Sequence, residues 1–152
     1  APDRMQAGDV FRWNNFPNPK YGGDDIKPRW FVYLGDTGKL STPVTAYLLT
    51  ATTNLASTDP GGVKHGHSAC RYHPNSSPFD QECIVDVDEG TYSIAAGTLP
   101  NNPDIEAKGS LTEQQMRELY NKLFRSQYFS RAVLKDVHRS FNDAGITSLK
   151  MP

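Results

Sequence analysis

The hydrophobic pattern of this chain changes period once, and that change restricts the folds open to it. Up to the loop marked by Pro100, Asn101, Asn102 and Pro103, apolar residues alternate or sit in short runs; beyond it they recur every three or four positions. Alternation marks strands with one wet face, and the longer spacing marks helices with one buried stripe. Strands first and helices last predict an α+β domain, a small and strongly curved antiparallel sheet or barrel with helices at one side. With 152 residues, 37% of them hydrophobic, the chain is long enough for one core and short for two, so a single domain over 5–152 is expected. Residues 1–4 precede a methionine and are set aside as an expression remnant.

The strands can be placed by residue type. GDVFRW (8–13) reads as a first strand, PRWFVYLG (28–35) as a second and PVTAYLLTATT (43–53) as a third. Proline is tolerated where the second strand starts, which leaves Lys27 and Arg29 at its mouth. They are either solvated cations or ligands for an anion. Between the first two strands, NNFPNPKYGGDD is too long for a tight turn, and loops of that length in compact domains are often functional. A polar stretch from Leu55 to Gln81 shows little pattern. ECIVDVDEGTYSIAA (82–96) then alternates and is expected to form a half-buried hairpin turning at Glu89 and Gly90. Ser110 and Glu113 have the spacing of a capping box before a helix whose stripe is Met116, Leu119, Tyr120, Leu123 and Phe124. A second stripe, Phe129, Val133, Val137 and Phe141, predicts another helix between Ser126 and Gly145.

Formal charge is −1, so no overall basic field points to nucleic acid, yet charge is unevenly distributed. Residues 80–106 hold seven acidic and no basic residues, whereas 107–141 hold seven Lys or Arg against three acidic residues. Two cysteines, Cys70 and Cys83, make no disulfide framework and suit a reducing compartment, with one bridge between them left open. No run approaches the roughly 20 apolar residues of a membrane span, and no signal-peptide pattern opens the sequence. A cytoplasmic, non-membrane protein is the expectation.

Three constellations could carry chemistry. His65, His67, Cys70, His73 and Cys83 include zinc-ligand types, but the spacing matches no paired-ligand motif, and a polar loop with a buried cysteine accounts for it equally. Asp86 and Asp88 share a strand face, as either an acid/base pair or the wet side of a sheet. Thr52 and Thr53 end a strand and could offer a hydroxyl to phosphate. Nucleophile elbows, phosphate-cradling glycine loops and dinucleotide fingerprints are missing from the sequence.

In order, GDVF, a long loop, KPRWFVYLG, VTAYLLTATTN, an acidic strand running into SIAA, and KGSLTEQQMRELYNKL resemble the PemK/MazF toxin family of toxin–antitoxin systems from Gly8 to about Leu123. The resemblance implies an SH3-like barrel that dimerises and cleaves single-stranded RNA without metal or other cofactor. Carried over by position, Lys27 stands where the family has arginine, with Arg29 as a substitute cation. Thr53 takes the hydroxyl position, and Asp88 or Glu89 lies nearest the late-strand acid. Phe16, Lys20, Tyr21 and Trp30 would contact RNA, the aromatic residues by stacking on bases. A small antitoxin protein is the implied partner, with a homodimer as the assembly. The Leu55–Gln81 stretch and the second C-terminal helix, within 126–152, are additional to the family pattern. A non-catalytic binding module on the same barrel is the other reading, because a barrel alone does not dictate chemistry.

Overall fold

Alternation along Asp9–Trp13 places Val10 and Arg12 on one face of β1 and Phe11 and Trp13 on the other, and the two faces belong to two separate apolar clusters. The computed structural model describes residues 2–17, 27–58, 60–62, 66, 68–89 and 91–152. β1 is followed by β2 (Arg29–Asp36), β3 (Thr45–Thr52), β4 (Ala69–Tyr72), β5 (Cys83–Asp86), β6 (Tyr92–Ala95) and β7 (Ile105–Ser110), then α1 (Glu113–Arg125) and α2 (Arg131–Asp143). All pairings are antiparallel, and the order across the sheet is β4-β5-β3-β2-β1-β7, with β6 also on β3. The sheet curls into a half-barrel. The expected α+β class, with a strongly curved antiparallel sheet and C-terminal helices, is what the chain forms.

The two faces fill differently. One packs Val10, Val32, Leu34, Leu49 and Val85 against α1 and α2, which contribute Met116, Leu119, Tyr120, Leu123, Leu134, Val137 and Phe141. The other gathers Phe11, Trp13, Phe16, Phe31, Leu48 and Ile94 around stacked and edge-on rings, with Phe16 4.8 Å from Phe31 and 5.1 Å from Tyr92.

Several local expectations change. Residues 83–95 form no hairpin: β5 pairs with the end of β3 through Ala51–Val85, and β6 with its beginning through Thr45–Ala95, so the two lie one after the other along the same strand. Asp86 is buried, so β5 has no acidic wet face. β4 falls in the weakly patterned Leu55–Gln81 stretch, and β7 between the Pro100–Pro103 loop and the first helix, where no element is expected. β7 escapes notice because only Ile105 is buried while Glu106 to Ser110 are exposed, leaving no alternation to find. The capping box belongs to Thr112 and Gln115: Gln115 N donates to Thr112 Oγ1 at 3.1 Å and Thr112 N to Gln115 Oε1 at 2.9 Å. Ser110 instead donates its hydroxyl to Asp9 Oδ1. The second helix begins at Arg131 behind the Ser130 cap, later than the sequence suggested.

Candidate functional site

One row of residues crosses the sheet on the helix-packed face: Glu106, Arg12, Trp30, Ala51, Val85 and Cys70 are successive cross-strand partners. The row is apolar beneath the helices and charged at its β7 end. A register shift between Val10 and Phe11 leaves Lys108 as the extra residue of a β-bulge in β7. Its ammonium lies 3.2 Å from Glu106 and 5.6 Å above the Trp30 ring. The hydrogen bond and charge of Lys108, with lesser help from Arg12 and Asn14, hold Glu106 below the usual carboxylate range. Arg12 Nε and Asn14 Oδ1, two residues apart in the sequence, are buried without a hydrogen-bond partner among the described residues.

Beside Trp30 the surface opens into a cleft of about 50 Å³ lined by Trp30, Thr52, Thr53, Phe79, Asp80 and Cys83. That is room for a few waters or one small group such as a phosphate. Phe79 packs 5.8 Å from Trp30 and closes one wall. The Cys83 thiol is pushed up to about 12 by burial and by Asp80 and Glu82, so it stays a neutral wall and not a nucleophile.

Trp30 and Thr53, proposed from sequence, therefore meet at one cleft. Arg29 pairs with Trp13 and lies on the opposite face from Trp30, while Lys27 is exposed ahead of β2. The cations on the Trp30 face are Arg12 and Lys108. Phe16 is enclosed by Trp13, Phe31 and Tyr92 in the second cluster, which leaves no ring face for a base. Asp88 accepts from Ser68 N at 2.7 Å and from Ser126 Oγ at 2.8 Å, so it ties the β4 segment to the end of α1. The acid at the cleft is Asp80 instead. Lys20, Tyr21, His65 and His67 lie outside the described residues, as does the side chain of Glu89. Cys70 and Cys83 are free and buried, His73 is exposed 3.7 Å from Glu82, and no metal-holding group of three appears among the described residues. No described helix is long and apolar enough to cross a membrane.

Arg12, Lys108 and Asp80 gave no motif in sequence. Arg12 becomes legible only through its cross-strand pairing with Trp30, and Lys108 only through the bulge. A larger cleft of about 480 Å³ lies between the N-terminal segment and α2, lined in part by Arg4, Tyr33, Asp36, Lys39 and Asp143. Its Asp36 carboxylate is already filled by the Tyr33 hydroxyl, Gly38 N and Arg139. Comparison of the chain with protein-family models finds no match, and neither does comparison with curated proteins.

Proposed function

We propose that the protein is a metal-independent endoribonuclease acting on single-stranded RNA, working at the cleft beside Trp30. The observation that supports this reading is the position of Trp30, which lines the cleft with Thr53, pairs across strands with Arg12 and lies 5.6 Å from the Lys108 ammonium. A base stacks on Trp30, the scissile phosphate sits by the cleft, and Thr53 donates to a non-bridging oxygen while the two cations balance the developing charge. The ribose 2′-oxygen attacks phosphorus as Asp80 takes its proton; the bond to the 5′-oxygen breaks, and Lys108 protonates that leaving group. The products are a 2′,3′-cyclic phosphate and a 5′-hydroxyl. In this reading, as in the PemK/MazF resemblance, the setting is cytoplasmic, a small antitoxin covers the groove and the working unit is a homodimer.

A second reading, RNA binding without cleavage, is favoured by one observation: Asp88, the acid the resemblance offered, is committed to Ser68 and Ser126. Primer-extension mapping of a long unstructured RNA incubated in EDTA separates the two. Discrete cuts by the wild type, reduced about 10²-fold or more in Thr53→Val, support the nuclease. RNA that binds and stays intact supports the second reading, and cuts unchanged in Thr53→Val overturn the assignment of the site.

A further inference from the structure

The corner between α1 and α2 carries charge that no ion pair among the described residues balances. From Leu119 to Lys135 the sequence holds four basic residues, Lys122, Arg125, Arg131 and Lys135, and no acidic one. Lys122 is committed to the Ala69 carbonyl. Arg125 ends α1, Arg131 opens α2, and Lys135 follows Arg131 by one helical turn on the same flank. All three are exposed, and none has an ion-pair partner among the described residues. Two described carboxylates near these residues in sequence or by contact are occupied, Asp88 by Ser68 and Ser126, and Asp136 by the Tyr47 hydroxyl and Arg139.

Between Arg125 and Arg131 in the sequence stands Tyr128, 59% exposed and one of three exposed large hydrophobic side chains among the described residues. An isolated exposed aromatic needs no explanation, and neither does a solvated cation. Three cations without an ion-pair partner among the described residues, in the segment that carries an exposed ring, are a combination that single-stranded nucleic acid uses, with phosphates on the charges and a base on the ring. The corner is tied to the turn after β5 by the Ser126–Asp88 hydrogen bond.

We infer that the α1–α2 corner is a second contact surface for single-stranded RNA, in which Arg125, Arg131 and Lys135 neutralise backbone phosphates and Tyr128 stacks on a base. The choice of RNA over another polyanion rests on the function proposed above. The corner does no chemistry. α1 is 13 residues long, about 20 Å of helix, and the corner lies at its C-terminal end.

The test is fluorescence anisotropy of a labelled 2′-O-methyl oligonucleotide, which cannot be cleaved through its 2′-oxygen, titrated with full-length protein over a range of salt. Arg125→Gln/Arg131→Gln/Lys135→Gln is expected to bind at least tenfold more weakly at low salt, with a log–log salt slope about 2 smaller, from roughly 0.7 per phosphate contact. Tyr128→Ala is expected to lose about tenfold at every salt concentration with the slope unchanged. Wild-type affinity and slope in the triple variant overturn the inference even if RNA is cut; reduced binding in the triple variant upholds it even if RNA is never cut. Failure of the wild type to bind the oligonucleotide overturns it, as does loss in the triple variant of sedimentation with phosphatidylserine vesicles while RNA binding is retained.

Discussion

Lys108 shows how a single inserted residue changes what a surface can do. In a regular strand its neighbours would form an ordinary edge; as the bulge residue it reaches over Trp30 and grips Glu106. Replacing it with methionine keeps most of the stem's contact with the ring and removes the charge, so RNA cleavage is expected to fall about 10²-fold with the thermal midpoint nearly unchanged, read by single-turnover kinetics beside circular dichroism. The same pairing sets a pH dependence. Because Lys108 depresses the Glu106 carboxyl, the contact is present above the ordinary carboxylate range and is lost as pH falls through the lowered value. Carboxyl-carbon NMR titration should show Glu106 titrating at higher pH in Lys108→Met than in the wild type; an identical curve would mean the two groups are uncoupled. Trp30 and Thr53 were recognisable in sequence because strand residues and a terminal threonine leave a local mark. Asp88, the acid that the resemblance offers, accepts two hydrogen bonds, from Ser68 N and Ser126 Oγ, which sequence gives no sign of.

At the scale of elements, patterned segments were legible and unpatterned ones were not. β1, β2 and β3 follow from alternation and β-branched or aromatic content, and both helices follow from their stripes. β7 has one buried residue in six, so its place in the sheet comes from backbone pairing with β1, which no side-chain pattern announces. The helix start slipped by two residues for a related reason: Ser110 and Thr112 both precede acidic or amide residues at the right spacing, and only backbone geometry chooses between them. Thr112→Ala is therefore expected to cost about 1 kcal/mol in urea denaturation, and Ser110→Ala, which removes only an exposed hydrogen bond to Asp9, clearly less. Gly35 marks a second constraint. At φ 142° it lies beside a register shift in β2, and a Cβ there would fall inside the Ser140 side chain of α2. Gly35→Ala should lower stability by about 2 kcal/mol and loosen the docking of α2.

For the whole molecule, the curled sheet separates two apolar clusters, and the helices cover one of them up to Trp30. Where that cover stops, the sheet row turns charged, and that boundary is the candidate site. Sequence reading reached the fold class and named Trp30 and Thr53, which line the cleft; Arg12, Lys108 and Asp80 left no local pattern because sheet register and a loop, which are non-local, bring each of them to Trp30 or to the cleft. Burial also fixes the alkaline limit of stability. The Cys83 thiol is raised from 9.0 to about 12 and the Tyr47 hydroxyl from 10.0 to about 12, so the folded state holds these protons after the unfolded chain releases them. Their contribution is complete below pH 9 and is lost as pH climbs toward 12, which urea midpoints measured from pH 8 to 11 should show, with a shallower decline in Cys83→Ala. The central claim is that the cleft cuts RNA through its 2′-oxygen. Mass spectrometry of an RNA oligonucleotide incubated with the protein in EDTA, beside the same oligonucleotide carrying one 2′-deoxy residue at the mapped cut site, tests it directly. The account predicts 2′,3′-cyclic phosphate ends from the first and no cleavage at the substituted position of the second; cutting at the deoxy position, or intact RNA in both, would contradict it.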